Sequence, residues 1–213
     1  IMDGNGRWGR KKGKSRNFGH LKGVETVKKI VKASIKLKVP IITFYVFSTE
    51  NWKRPKSEIN FLFNLIIKYF EQELNRVIQN GIKINIIGKI NILPIKIKKS
   101  LKESIKKKKK NKKIIVNLAI NYGSRDEIVN ACKKSKKKIN FNSISKNLYT
   151  KNLPNPDILI RTGGHKRLSN FMLWQLAYTE IYFINKLWPD FKINDFEKII
   201  VDFKNVKRNF GSI

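Results

Sequence analysis

Three short segments hold most of the residues whose types and spacing could do chemistry. The first, Met2-Asp3-Gly4-Asn5-Gly6-Arg7-Trp8, sets an acidic side chain directly before a Gly-x-Gly turn and an arginine. Glycines let backbone N–H groups approach an anion closely, and a helix opening there adds positive potential. A tight turn with no ligand satisfies the same spacing, and neither a Walker A loop nor a dinucleotide fingerprint is present. A carboxylate beside a phosphate cradle is repulsive unless a cation lies between them. Magnesium, held by one or two carboxylates plus substrate phosphates, removes that conflict. Asp3 is the candidate ligand, with a turn or helix cap as the plainer use of the same residue. Arg16 and His20 flank Gly19 and could complete a diphosphate clamp, or belong to a solvated basic face.

The second segment, Phe47-Ser48-Thr49-Glu50-Asn51-Trp52-Lys53-Arg54-Pro55, gathers hydroxyl, amide and guanidinium groups on one loop. A capped helix start at Ser57 and Glu58 is the alternative reading. The third runs from Arg161 to Asn170 and contains Gly163, Gly164, His165, Arg167 and Ser169. Two arginines, a serine and paired glycines at an expected strand-to-helix turn make a second candidate anion site. Glu180 is expected near the end of that helix, in a chain with only 15 acidic residues. Two anion sites and two candidate metal carboxylates imply two phosphorylated substrates.

These segments need elements to position them. Residues 41–48, 82–88, 114–121 and 157–161 are short, rich in β-branched and aromatic types and bounded by turn signals, so they are expected as strands, with 181–184 a weaker fifth. Ile1 and Met2 resemble the last residues of a further strand, with residues expected upstream. Residues 23–36, 57–79 and 170–178 repeat apolar positions at helical spacing. Such alternation predicts an α/β chain, one domain over 1–213, with a central, mostly parallel sheet flanked by helices. Ligands in such sheets sit at the carboxyl ends of strands, and each polar segment follows a strand.

With 213 residues, one domain can bury a sizeable core. A single cysteine, Cys132, rules out an internal disulfide and fits a reducing, cytoplasmic setting. The net charge of +32 invites a nucleic-acid reading, but 38 of the 47 basic residues are lysine and only 9 arginine. The lysine runs near 106–113 and 133–138 contain no aromatic residue, as a base-stacking surface would require. The charge suits solvated faces and attraction to anionic lipid, a possible peripheral membrane contact, better than specific nucleic-acid binding. Against that background six arginines, at positions 7, 16, 54, 125, 161 and 167, fall in the Gly-, Asn- or Ser-containing segments, where a planar fork is useful.

Taken in order, Met-Asp-Gly-Asn-Gly-Arg-Trp, Phe-Ser-Thr-Glu-Asn-Trp-Lys-Arg-Pro, Asn-Tyr-Gly-Ser-Arg, Arg-Thr-Gly-Gly, Arg-Leu-Ser-Asn-Phe and Leu-Trp-Pro-Asp-Phe resemble the motifs of undecaprenyl diphosphate synthases, the cis-prenyltransferases. The resemblance spans residue 1 to about residue 210. It implies an enzyme that condenses isopentenyl diphosphate onto an allylic diphosphate, a homodimeric single α/β domain and an apolar product tunnel. It implies Mg²⁺ held by Asp3 and Glu180. Gly4, Asn5, Gly6, Arg7, Trp8, Arg16, His20 and Arg54 would cradle the allylic diphosphate. Arg161, Arg167 and Ser169 would bind isopentenyl diphosphate. Ser48, Asn51 and Trp52 would line the reacting centre, with Asp3 and Asn51 catalytic. Val46 and Leu118 are candidate tunnel residues, with core packing as the alternative.

Two positions depart from the pattern. His165 stands where the family usually carries Glu, and Asn209 where it often carries Arg, with Arg208 one place away as a candidate to reach the same phosphate, within the chain or across a dimer interface. The trans-type prenyl synthases are excluded, because no Asp-Asp pair occurs in the chain. A non-catalytic partner subunit on the same fold is the remaining alternative.

Overall fold

The computed structural model describes residues 1–106, 113–135 and 139–209; most of the two lysine runs lies outside these. The span expected as one domain comprises two compact units, residues 34–152 and residues 1–33 with 153–213.

In the unit of residues 34–152, β1 (Ile41–Ser48), β2 (Ile82–Ile87) and β3 (Ile114–Tyr122) form a parallel sheet in the order β1-β3-β2. Central β3 is buried at eight of its nine positions, as a strand covered on both faces must be. Its one polar side chain in mid-strand is satisfied laterally. Asn117 donates to Thr43 Oγ1 at 3.0 Å and accepts from Asn85 at 3.2 Å, its register partners on either side. Such pairing removes most of the cost of a buried amide. The core lies between this sheet and two helices, α3 (Lys56–Gln79) and α4 (Ile95–Lys106). Phe47, Ile59, Phe63, Ile67, Phe70, Ile97 and Leu101 fill it, at helical spacing on α3 and α4. Val46 and Leu118 are partly buried against this core. Helices α5 (Ser124–Lys134) and α6 (Phe141–Ser145) follow β3.

In the other unit, α1 (Asn5–Lys11) leads into α2 (Arg16–Lys36), which runs on into the first unit's residues. A parallel pair, β4 (Ile158–Arg161) and β5 (Glu180–Phe183), is followed by α7 (Ile193–Lys204). Ile1 extends this pair as expected of a strand end: its amino group donates to Ile160 O and its carbonyl accepts from Thr162 N at 3.2 Å. That is the alternating pattern of a parallel ladder on the edge of β4 away from β5. Pairing is therefore parallel throughout, as expected, with the strands hydrogen-bonded as two sheets.

The helix expected over 170–178 is absent. Ser169, Asn170 and Met172 have φ of 51°, 60° and 47°, in the left-handed region that an α-helix cannot contain. The segment is a series of turns that nonetheless buries Phe171, Met172 and Leu176. The apolar spacing was met by compact turns instead of a helix face. No helix among the described residues is long and apolar enough to cross a membrane.

Candidate active site

Asp3 leaves the edge of β4 and is clasped from two sides. Arg161 Nη2 donates to Oδ2 at 2.9 Å, and Arg7 Nη2 lies 3.2 Å from Oδ1. Burial alone would push this carboxyl up, but hydrogen bonds and charge from Arg161 and Arg7 outweigh it and hold Asp3 below the ordinary carboxylate value. Its backbone is fixed as well. The Thr162 hydroxyl, fully buried, accepts from Asp3 N at 3.1 Å and donates to Asp3 O at 2.9 Å.

Arg161, the last residue of β4, is 3 % exposed and serves several partners with one planar fork. Nη1 donates to Ser169 Oγ at 2.7 Å and to the Arg167 carbonyl, while Nη2 takes Asp3. Nε is buried with no protein partner. An orphaned guanidinium N–H costs free energy unless an anion meets it. The 161–169 turn thus ties Arg161 to Ser169 and to the Arg167 backbone, and leaves Arg161 Nε as a donor still to be satisfied. Arg7 crosses to the same turn and donates to Gly163 O at 2.8 Å. Gly163 has φ 89°, and a Cβ there would lie 2.6 Å from Arg7 Nη2, so only glycine fits.

Arg16 also reaches this region: a Cβ on Gly6 would come within 2.6 Å of its guanidinium carbon. His20 lies one turn further along the same face of α2. Gly4 opens α1 in the left-handed region at φ 105°, and Asn5 Nδ2 donates back to Met2 O at 3.4 Å. Trp8 is engaged in bracing: its indole donates to Asp190 at 2.8 Å and stacks on Phe18 at 5.9 Å.

Glu180 lies toward the other end of the strand pair from Arg161. It opens β5 opposite Ile158, whereas Arg161 pairs with Phe183, so the two ends are three residues, about 10 Å, apart. Arg208 Nε lies 3.9 Å from the Glu180 carboxylate. Arg208 itself is held at that far end, donating to Asp157 at 2.6 Å and to the Tyr178 carbonyl at 2.6 Å.

The remaining expected residues belong to the unit of residues 34–152 and form their own cluster. The register of β1 shifts twice before Ser48, which turns the chain into a 3₁₀ turn over Thr49–Lys53. Ser48 N donates to Asn51 Oδ1 at 3.1 Å. Trp52 packs edge-on against Phe47 and Phe63, with ring centroids 5.3 and 5.5 Å away. Arg54 pairs at 3.0 Å with Glu58, whose side chain is 8 % exposed. Glu58 and Thr162 were not singled out as site residues from sequence. The Arg54–Glu58 spacing of four was the available signal for one, and the Arg-Thr-Gly-Gly motif for the other.

Among the described residues no group of three or more His, Cys, Asp or Glu side chains could hold a metal on its own. The donor set instead suits an ion shared with a phosphorylated ligand. One ionised, partly exposed carboxylate, Asp3, stands among phosphate-type donors.

Comparison with known proteins agrees with this chemistry. The family profile described as putative undecaprenyl diphosphate synthase matches residues 1–211. An isoprenyl transferase of Prochlorococcus marinus is 47 % identical across 100 % of this chain and 82 % of its own length. One from Clostridium perfringens is 44 % identical across 100 % and 88 %. Among solved structures, a lavandulyl diphosphate synthase from Lavandula x intermedia, in complex with dimethylallyl diphosphate, superposes with a TM-score of 0.94 at 30 % identity, covering 100 % of this chain and 96 % of that one. A probable undecaprenyl diphosphate synthase from Campylobacter jejuni gives 0.82 at 36 % identity, covering 90 % and 92 %. The fold and the sequence are those of a prenyltransferase. The chain belongs to the undecaprenyl diphosphate synthase family of cis-prenyltransferases.

Proposed function

We propose that this cis-prenyltransferase extends an allylic diphosphate, farnesyl diphosphate, by repeated addition of isopentenyl diphosphate. The product would be a long polyprenyl diphosphate such as undecaprenyl diphosphate, the lipid carrier for cell-wall synthesis. The observation that carries the reading is the Asp3 carboxylate held ionised between Arg7 and Arg161.

The chemistry follows from where charge moves. Departure of diphosphate from the allylic carbon builds negative charge, which preorganised donors stabilise. Gly4, Asn5, Gly6, Arg7, Arg16, His20 and Arg54 are the proposed cradle for that group. Mg²⁺ at Asp3 would neutralise part of the same charge. Arg161, through its unpartnered Nε, with Arg167 and Ser169, would hold the diphosphate of isopentenyl diphosphate. The double bond of isopentenyl diphosphate forms the new bond to the allylic carbon, and a proton leaves to give a cis double bond. Ser48, Asn51 and Trp52 would border that event.

Each unit adds five carbons to an apolar wall, worth about 4 kcal/mol at about 0.8 kcal/mol per carbon. Val46, Leu62, Ile66, Ile86 and Leu118, partly buried beside the core, are the proposed wall. A homodimer, and contact of the cationic surface with anionic lipid, complete the reading.

The test is incubation with farnesyl diphosphate, labelled isopentenyl diphosphate and Mg²⁺, against EDTA and Asp3→Ala controls. Long cis products lost in both controls support the reading. No incorporation by a folded wild-type chain would shift it to a non-catalytic partner subunit.

A further inference from the structure

At the carboxyl end of the β1-β3-β2 sheet one buried residue has no role in the account above. Asn121, next to last in β3, is 1 % exposed and has φ 49°. Asparagine is among the few side chains that accept this left-handed backbone. Its amide holds two other loops. Oδ1 accepts the indole N–H of Trp52 at 2.8 Å, and Nδ2 donates to the Lys89 carbonyl at 2.6 Å. The Asn121 backbone carbonyl accepts Lys89 N–H at 3.1 Å, closing a reciprocal pair. Trp52 follows β1 and Lys89 follows β2, so one side chain ties the exits of all three strands.

A second observation points the same way. Gly88, at φ 125°, lies so close to the end of β3 that a Cβ would sit 2.1 Å from Ile120 O. The turn after β2 is pressed onto β3 at the place where Asn121 engages it. Trp52, 39 % exposed, is otherwise held by the edges of Phe47 and Phe63. Ring contacts of this kind leave rotation of the indole weakly determined, whereas a directional N–H bond fixes it.

We propose that Asn121 is a positioning residue for prenyl transfer, setting the orientation of the Trp52 indole at the reacting centre. This rests on the reading of Trp52 as a residue of that centre. The experiment compares Asn121→Gly, which keeps the left-handed backbone and deletes the amide, with Trp52→Phe, with the double variant, and with Asn121→Asp, which retains the acceptor. Each full-length chain is assayed for kcat and KM and, labelled with 5-fluorotryptophan, for the ¹⁹F line that Trp52→Phe removes.

Asn121→Gly should lower kcat about tenfold or more, leave the KM for isopentenyl diphosphate within about twofold, and split or broaden the Trp52 line. Asn121→Asp should recover most of that kcat. The double variant should be no slower than Trp52→Phe by more than about twofold, since both changes remove one interaction. In the unaltered protein the Trp52 indole N–H should exchange with solvent at least about tenfold slower than free indole. Asn121→Gly with wild-type kcat and an unchanged line, effects that multiply in the double variant, or exchange at the free-indole rate would overturn the proposal. If Trp52→Phe alone leaves kcat and KM unchanged, the placement of Trp52 falls first and takes this proposal with it. Because exchange is read on the unaltered protein, the result stands even if Asn121→Gly does not fold.

Discussion

The Asp3 cluster and the Trp52 cluster are held by different physics. At Asp3 both partners are ionised, one local, Arg7 four residues on, and one remote, Arg161 lying 158 residues away. At Trp52 the ties are neutral and aromatic, and a nearby ion pair, Arg54 with Glu58, is a local four-residue spacing. On the proposed reading, fixed charges stand where a diphosphate would be held, and neutral groups where an apolar chain would react. Coulombic contacts lose strength with solvent, whereas ring packing and a single amide keep shape without adding field.

The sharpest way to break this contrast is Asp3→Ala. It should lower kcat about 10³-fold, a loss of about 4 kcal/mol of transition-state stabilisation, measured by labelled isopentenyl diphosphate incorporation. A loss below about tenfold would show that the charged cluster is scaffold only. Next, Arg161→Lys should raise the KM for isopentenyl diphosphate about 10²-fold, because a point charge cannot meet Asp3, Ser169 and the Arg167 carbonyl together. Steady-state kinetics against the second substrate would show it.

Acid titration probes the same cluster through stability. The folded-state pKa of Asp3 is depressed, so its ionised form stabilises the fold fully above the unfolded value, about 3.9. That contribution disappears as pH falls through the lower folded value. The difference in unfolding free energy between wild type and Asp3→Asn should therefore stay constant above about pH 5 and close below about pH 4. A gap already closing near neutrality would contradict the paired carboxylate.

The smallest effect on catalysis is expected from Tyr122→Phe. Tyr122 donates to the buried Glu127 carboxylate at 2.5 Å, and Glu127 also accepts Tyr149 N at 2.7 Å. Burial, then the charge and hydrogen bond of Glu127, push this phenol far above its usual range, so it stays neutral. Deleting the hydroxyl should cost about 2 kcal/mol in chemical denaturation while kcat stays within about twofold. A large kcat effect would extend the neutral cluster beyond Asn121.

Much of this was legible in the sequence for physical reasons. β1 and β3 are runs of β-branched and aromatic residues, and these types disclose strands. The groups of the Asp3 cluster were identifiable by type, since Asp, paired Gly and Arg in such segments have few other uses. Their mutual contact was not, because nothing local links residue 3 to residue 161. Residues 170–178 were misread because Phe171, Met172 and Leu176 have helical spacing, while Ser169 and Asn170 take left-handed conformations that no periodicity reveals. The same misreading put Glu180 near the end of a helix, whereas it opens β5. Asn121 opened the Asn-Tyr-Gly-Ser-Arg motif but drew no role from sequence, because its contacts are a hydrogen-bond geometry and asparagine is common throughout this chain.

The reach from Asp3 to Arg161 also sets a schedule for biosynthesis. A ribosome adding about 5–20 residues per second needs about 8–30 s to cover the 158 positions between them. Through that interval the nascent Asp3 has its neighbour Arg7 but neither Arg161 nor the Thr162 hydroxyl that pins its backbone. The Asp3 turn is made long before its partners and completed only after them, so a chain released before residue 162 carries the motif without the cluster.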